Sequence, residues 1–277
     1  MTTLGFNEHD DSYFDEVYDE FMPAAIYRCI KAESQWDPQI DLTPSYQALA
    51  SFEQQIDDLC QQVSDDHARL DTLLDRFYSE WLFSASGLKV PEYKLNCLSY
   101  TLTMRSGSPT TLAILLCHFL QHAKLDASVS ITQGEIGVHV AMSEEEGYTI
   151  EPTSGQQSWY IVPENVDEEN AQEQEPLELI FDEEVYKLFL AQQKWSFISE
   201  NKFGHALHCV EMLLALLGGD DPYERRDRGY LLNQLGCPKM ARDDLQFFVD
   251  ECPDDPAIEI IQHQIEELED NNNKTHH

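Results

Sequence analysis

Apolar residues recur every three or four positions in the first third of the chain, and this spacing predicts amphipathic helices. The first helix is predicted to begin near Thr43, where Pro44 would take the first helical position, and regular structure is predicted to start there. Its apolar stripe is Leu49, Phe52, Ile56, Leu59 and Val63. A second stripe follows at Leu70, Leu73, Leu74, Phe77, Trp81 and Leu82. Residues 93–104 predict one further helix.

The middle of the chain changes from a helical period to the alternation of a β-strand. A tight break at residues 106–109 precedes residues 110–123, which are apolar on almost every side and predict a buried helix. Residues 136–142 then alternate, with His139 on the face opposite the apolar set, and predict a strand. Two further short strands, at residues 147–152 and 159–162, would complete a small antiparallel sheet.

The last third of the chain returns to helical spacing and repeats itself. Ala206 and Ala241 lie thirty-five residues apart in two similar apolar segments. The second copy has the spacing of a tetratricopeptide repeat, with small or apolar residues at Gly229, Ala241, Leu245 and Phe248, followed by Pro253. The small residues let the two helices of a unit approach closely, and the Pro ends the second helix. These helices are therefore predicted to form repeat hairpins packed on the preceding domain.

The charge of the chain narrows the classes of partner. It has 52 acidic and 17 basic residues and a formal net charge of −35. This field repels nucleic-acid phosphates and anionic membranes, so neither is predicted as a partner, whereas a basic protein or peptide stays possible. No apolar run approaches the ~18 residues of a membrane span. Seven cysteines, an odd number without paired spacing, indicate reduced thiols in a cytoplasmic protein.

The acidic residues are unevenly distributed along the chain. Residues 125–186 contain sixteen of them and no Lys or Arg, and they include a polar acidic linker at 164–178. Residues 1–40 are predicted to form a further acidic arm. Basic residues cluster at 225–228 and 239–242. A contact between the acidic window and this basic rim therefore competes with an external cationic partner.

One stretch of the chain resembles a known family. Asn96 precedes the run Arg105, Gly107, Pro109, and a buried helix and strands lead on to Glu151 and Pro152. This order resembles the bacterial SirB-type proteins, in which a transglutaminase-like core precedes tetratricopeptide repeats. The resemblance implies an α+β fold that is predominantly α, with a helical, papain-like core and a small antiparallel sheet.

Four segments are predicted on this basis. They are the acidic arm at residues 1–40, the transglutaminase-like domain at 41–185, the repeat helices at 186–270 and a disordered tail at 271–277.

The chemistry implied by the resemblance uses a Cys at the start of a buried helix, a His on the next strand and an Asp on the following one. Ser108 and Thr110 flank Pro109 at the matching helix start, which has no Cys. Cys117 lies two turns deeper and Cys97 on the preceding helix, neither at a predicted helix start. His139 is the candidate for the His on the strand, but the alignment that counts from Leu125 places Gln133 or Glu135 at that position instead. Glu151 takes the place of the Asp. The candidate catalytic residues are therefore His139, Glu151, Cys117 and Cys97.

The remaining candidates have both a structural and a chemical interpretation. Ser108 or Thr110 is either a helix cap, which is favoured, or a replacement nucleophile. Arg105 either pairs with a carboxylate such as Glu92 or Glu151, which is favoured, or binds a ligand anion. The pairs His118/His122 and His205/His208 each share a helix face, but no third ligand is apparent. No metal site and no cofactor are predicted.

Three functions compete at this point. The favoured one is a non-catalytic scaffold or regulator that binds a protein or peptide, and the net charge of the chain favours a basic partner. The first alternative is a thiol-dependent peptidase, amidase or acyl transferase with an unorthodox Cys. The second is a chaperone-like module whose acidic segment mimics a polyanion. The absence of a Cys at the matching helix start leans against an enzyme.

Overall fold

A computed structural model of the chain describes residues 24–85, 89–161 and 177–275. Within these ranges it contains eleven α-helices and seven strands. The N-terminal half holds α1 (Ala25–Trp36), α2 (Thr43–Gln62), α3 (Asp66–Asp75), α4 (Glu92–Leu95), α5 (Leu98–Met104) and α6 (Pro109–His122). The C-terminal part holds α7 (Asp182–Ser199), α8 (Phe203–Leu216), α9 (Pro222–Gln234), α10 (Pro238–Glu251) and α11 (Ile258–Thr275). The fold is therefore α+β and predominantly α, as predicted.

A five-stranded antiparallel sheet packs on α6. Its strands are β3 (Asp126–Thr132), β4 (Glu135–Ala141), β5 (Glu146–Ile150), β6 (Gln157–Ile161) and β7 (Glu178–Ile180), in the order β6-β5-β4-β3-β7. Two shorter strands, β1 (Ser84–Ala85) and β2 (Ser106–Gly107), pair in parallel as a separate two-stranded sheet. The register aligns Val129, Val138 and Ile150 across three strands, and all three are buried on one face. Because successive side chains of a strand alternate, the neighbouring residues lie on the other face.

The helix α6 lies at the centre of the core, as its apolar sequence predicts. Its apolar side chains are buried on all sides, and Phe119 packs against the rings of Phe52, Trp81, Phe77 and Phe83. The ring centroids of Phe52 and Phe119 lie 5.5 Å apart, within the range of favourable aromatic pairs. This cluster joins α2 to α6 and to the segment that follows α3.

The prediction that regular structure begins near Thr43 is wrong. The helix α1 starts at Ala25, and Ile26, Cys29 and Ile30 are almost completely buried. These residues have the i, i+3, i+4 spacing of a helix, but the acidic residues before them favoured an arm. The helix contacts α5, α6, α7 and α8, so it belongs to the core. Residues 1–23 of the predicted arm lie outside the described ranges, and so do residues 162–176 of the predicted linker.

Two predicted helices of the N-terminal half differ from the structure. The α-helix that carries the second stripe ends at Asp75 and is followed by a π-helical turn over Arg76–Glu80. Leu82, the last residue of the stripe, is exposed and has a φ of 62°. The helix predicted at residues 93–104 divides into α4 and α5. The strands predicted near residues 136–142, 147–152 and 159–162 are present as β4, β5 and β6, whereas β3 and β7 were not predicted.

The repeat helices pair as the thirty-five-residue spacing predicts. The hairpins are α7 with α8 and α9 with α10, and α11 packs on α10. At Gly229 in α9, an added Cβ would lie 2.9 Å from Leu245 Cγ and 3.0 Å from the Ala241 carbonyl oxygen. The chain leaves the second hairpin just before Pro253. The helix α11 continues to Thr275, through the start of the tail predicted to be disordered. The predicted boundaries at residues 40/41 and 185/186 stay predictions.

Replacing Gly229 by Ala should destabilise the second hairpin. Ala normally stabilises a helix interior by about 1 kcal/mol relative to Gly, but here the methyl group would force α9 and α10 apart, which typically costs about 1–3 kcal/mol. We expect Gly229→Ala to lower the free energy of unfolding in a urea titration. Gly204→Ala in α8 is the matched control, because nothing lies within 4 Å of its added methyl group. Equal stability of the two variants would contradict close packing at Gly229.

Candidate functional site

The start of α6, where the implied nucleophile would lie, is filled by hydroxyl groups. Ser108 is the N-cap and its Oγ accepts a hydrogen bond from Thr111 N at 3.2 Å, so the predicted capping role is confirmed. Thr111 Oγ1 donates to the Leu95 carbonyl oxygen at 2.9 Å and accepts from Thr101 Oγ1 at 3.2 Å. Gly107 lies so close to both threonines that an added Cβ would be within 2.8 Å of them. The helix start is therefore a packed structural network.

His139 lies in the middle of β4, on the face that points away from α6. Its neighbours Val138 and Val140 are fully buried on the other face. The imidazole stacks on Tyr160 of β6 with ring centroids 5.5 Å apart, and its Nε2 contacts the Tyr160 hydroxyl. Burial lowers the pKa of His139, and Asp126 partly opposes this effect.

Cys117 lies on the opposite side of the sheet from His139. It is a buried residue of α6 beside Val129 of β3, and burial raises the pKa of its thiol to about 12. The sheet backbone therefore separates this sulfur from the His139 imidazole. The structure does not bring these two candidates together.

Asn96 and Cys97 form the break between α4 and α5. Cys97 is the N-cap residue of α5, so the prediction that it lies away from a helix start is wrong. Its thiol donates to the Tyr93 carbonyl oxygen at 3.2 Å, and burial together with the charge of Glu33 holds its pKa well above the usual value. The Asn96 side chain is buried, and its Nδ2 has no hydrogen-bond partner in the described part of the chain. The burial of Cys97 and the nearby charge of Glu33 therefore oppose formation of its thiolate.

Glu151 serves as a cap for the turn after β5. Its carboxylate accepts hydrogen bonds from Thr153 N at 2.9 Å, from Ser154 N at 2.7 Å and from the Thr153 hydroxyl. Burial would raise its pKa, but the hydrogen bonds from Ser154 and Thr153 outweigh burial and lower it. The neighbouring Pro152 carbonyl oxygen accepts from the Tyr78 hydroxyl at 2.9 Å. Glu151 therefore stabilises its own turn and makes no hydrogen bond to His139.

Arg105 packs on aromatic rings. Its guanidinium carbon lies 4.4 Å from the ring centroid of Phe52 and 5.1 Å from that of Phe83. It also donates to the Leu102 carbonyl oxygen, and burial lowers its pKa. Among the described residues no carboxylate lies within 4.0 Å of it, so the predicted pair with Glu92 or Glu151 is wrong.

The paired histidines of α6 bind carboxylates on α2. His118 Nε2 lies 2.8 Å from Glu53 Oε1, and His122 Nε2 lies 3.0 Å from Asp57 Oδ1. In the described ranges no group of three His, Cys, Asp or Glu side chains could hold a metal ion. The two histidines therefore join α6 to α2.

The arginines of the predicted basic rim pair with acids of the repeats themselves. Arg225 and Arg228 both bind Asp244, at 3.0 and 2.7 Å, and Arg226 binds Asp227 at 2.9 Å. These three arginines are therefore neutralised within the repeats. The predicted contact between this rim and the acidic window stays a prediction, because residues 162–176 of the window lie outside the described ranges. The Lys194 ammonium, unlike these partly exposed arginines, is buried and contacts Glu224 at 2.7 Å and Asp227 at 2.8 Å.

A cavity of about 460 Å³ lies between the core and the first repeat hairpin. Its wall is aromatic, with Phe197 of α7 in contact with Tyr93 of α4 and Trp36 of α1 at centroid distances of 5.6 and 5.8 Å. Tyr100, Cys97 and Ser99 of α5 complete this side. Sequence reasoning missed the cavity because its residues come from segments far apart in the chain. A cavity of this size with a few polar groups is typical of a binding site.

These features define a transglutaminase-like domain joined to tetratricopeptide repeats. The Transglutaminase-like superfamily matches residues 45–179, and the Tetratricopeptide repeat matches residues 193–266. Protein SirB1 of Salmonella typhimurium is 31% identical over 226 residues, which are 76% of this chain and 79% of SirB1. The chain belongs to the family of SirB1 and the UPF0162 proteins.

Other relatives support the same family. UPF0162 protein YchA of Escherichia coli K12 is 31% identical over 209 residues, which cover 72% of this chain and 76% of YchA. UPF0162 protein BU173 of Buchnera aphidicola is 28% identical over 242 residues, 82% of this chain and 87% of BU173. These relatives are bacterial proteins. No solved structure matches the chain. In the described part of the chain, none of the helices is long and apolar enough to cross a membrane.

Proposed function

We propose that the chain is a non-catalytic scaffold that binds another protein, built on a transglutaminase-like domain that has lost its nucleophile. The observation that carries this proposal is the position of Cys117 and His139 on opposite sides of the sheet. A thiol cannot transfer its proton to an imidazole through a layer of hydrogen-bonded backbone. The repeats support the binding part, since stacked helical hairpins commonly present an extended surface to peptides and helices.

The proposal includes a cytoplasmic location and a partner other than nucleic acid. Single cysteines without paired spacing support a reducing compartment, and the net charge of −35 supports a protein partner. Affinity capture from a bacterial lysate at low and high salt tests the binding part. We expect at least one stoichiometric protein partner, and capture of none at either salt concentration would contradict the scaffold function.

Alkylation with iodoacetamide tests the non-catalytic part. A thiol whose pKa is raised to about 12 has roughly a thousandfold less thiolate near neutral pH than one at its usual pKa. In the native protein we therefore expect Cys97 and Cys117 to react at least about a hundredfold more slowly than the exposed Cys237. Mass spectrometry of the proteolysed protein gives the rate for each cysteine.

The urea-unfolded chain is the control for this labelling, since all seven cysteines should then react at similar rates. If Cys97 or Cys117 of the native protein reacted faster than free cysteine at neutral pH, the thiol enzyme would replace the scaffold.

A further inference from the structure

The cavity between the core and the repeats has a charge pattern that indicates what it binds. Lys94 of the α4 segment and Lys202, just before α8, both line it, together with Asp37 and Asp41 after α1. The two lysines come from different parts of the fold. Neither has a carboxylate within 4.0 Å among the described residues, although two carboxylates line the same cavity.

The two carboxylates of the cavity are already engaged in local turns. Asp37 Oδ1 accepts from Gln39 N at 3.2 Å, and Asp41 Oδ1 accepts from Thr43 N at 3.0 Å. Hydrogen bonds from Thr43 lower the pKa of Asp41. These carboxylates therefore cap backbone amides, whereas the lysine ammonium groups keep donors for an incoming acceptor.

The charged group of Lys202 packs against the aromatic wall of the cavity. Its Nζ lies 4.6 Å from the ring centroid of Tyr93, and the His205 ring of α8 packs at a tilt against Phe197 with ring centroids 5.2 Å apart. Burial, Lys202 and His208 lower the pKa of His205, so its neutral imidazole adds to the aromatic surface near neutral pH. The aromatic wall and two lysine ammonium groups without carboxylate partners in the described ranges thus lie side by side, with two capping carboxylates in the same cavity.

We propose that this cavity binds a segment of the partner protein in which a carboxylate neighbours an aromatic side chain. The aromatic ring would enter between Tyr93, Tyr100 and Phe197, and the carboxylate would pair with Lys94 and Lys202. This inference rests on the proposed scaffold function and specifies its partner surface. The partner segment is therefore acidic, although the net charge of the whole chain favours a basic one. Screening at physiological ionic strength, where the Debye length is about 8 Å, limits the repulsion from the rest of the chain.

Fluorescence polarisation with the full chain tests the inference. The probe is a fluorescein-labelled synthetic decapeptide of sequence GSDDFDYEGS. Its two controls are the same peptide with amides in place of the carboxylates and with Ala in place of the aromatic residues. We expect the protein with both Lys94→Glu and Lys202→Glu to bind the probe at least about tenfold more weakly, which corresponds to about 1.4 kcal/mol. Tyr100→Ala should weaken binding as well.

The matched control is Lys239→Glu, an equivalent charge change on the exposed face of α10, which should leave the affinity within about twofold. Equal affinities of the Lys239 and the Lys94/Lys202 variants would overturn the inference. So would equal binding of the acidic and amide peptides, or no binding up to about 1 mM, the affinity of only weak complexes. Unchanged circular dichroism and melting temperatures show that the variants are folded.

Residues 7–22 of the chain itself also combine carboxylates with aromatic side chains, so this segment is the alternative occupant of the cavity. A full-length variant with Asn and Gln in place of its six Asp and Glu residues between positions 10 and 20 distinguishes the two sources. If the probe bound only this variant, the chain's own segment would be the occupant and a partner segment would be excluded.

If the Lys94/Lys202 variant lost the peptide but still captured its partner from a lysate, the inference alone would fail. Rapid alkylation of Cys97 or Cys117 would instead overturn the scaffold function.

Discussion

Lys194→Met is expected to remove about 3–5 kcal/mol from the free energy of unfolding, because it leaves buried carboxylates without their cation. Lys194 is 3% exposed, and its ammonium group contacts Glu224 at 2.7 Å and Asp227 at 2.8 Å. Both acids are on α9, so the interaction ties α7 of the first hairpin to the second. Arg226 still contacts Asp227 at 2.9 Å, so the loss should lie near the lower end of this range.

Urea unfolding followed by far-ultraviolet circular dichroism measures this effect. Lys187→Met is the matched control on the same helix, since Lys187 pairs with Glu183 at 2.6 Å near the surface and such pairs contribute less than about 1 kcal/mol. Adding Glu224→Gln and Asp227→Asn to Lys194→Met should restore part of the lost stability. If the Lys194 and Lys187 variants were equally stable, the buried network would not hold the hairpins together.

Glu33→Gln is expected to change how stability depends on pH. Glu33 of α1 is completely buried, and its carboxylate accepts from Ser99 N at 3.1 Å and from the Ser99 hydroxyl at the start of α5. Burial raises its pKa to about 7. A raised folded-state pKa means that the stability contribution of this group is greatest below its unfolded pKa and is lost as the pH rises through about 7.

Unfolding at a series of pH values tests this sign. Between pH 5 and pH 8 the stability of the wild type should fall by about 2–3 kcal/mol relative to Glu33→Gln, because Gln cannot ionise. Glu259→Gln, an exposed substitution on α11, is the control and should follow the wild type. A constant difference between wild type and Glu33→Gln across this range would show that the pKa of Glu33 is not raised in the folded protein.

Several features of the fold could be predicted from local sequence. The apolar run after Pro109 predicted α6, because a helix without a polar face must be buried. The alternation around His139 predicted β4 and the face on which His139 lies. The spacing from Gly229 to Pro253 predicted the second repeat hairpin, because close helix packing requires a small residue at the crossing. Each of these patterns depends on residues near one another in the chain.

Other features could not be predicted from local patterns. The helix α1 was missed because its acidic surroundings favoured an arm, and its burial depends on contacts with α7 and α8. The division between α4 and α5 depends on a hydrogen bond from Thr111, at the start of α6, to the Leu95 carbonyl oxygen at the end of α4. Arg105 was expected to bind a carboxylate, but the fold places Phe52 and Phe83 beside it. These outcomes depend on which distant segments come into contact.

By itself, the sequence determined the class of the elements with a clear period, such as α6, β4 and the repeat helices. It also determined the order of the two domains and the absence of a Cys at the start of α6. These follow from periodicity and residue type, which act over a few turns or strands. The tertiary structure alone decided that the sheet separates Cys117 from His139, that Lys194 is buried against α9, and that Lys94 and Lys202 share a cavity lined by aromatic rings. Such relations require the docking of helices and strands that are far apart in the chain, and docking is set by the packing of whole faces.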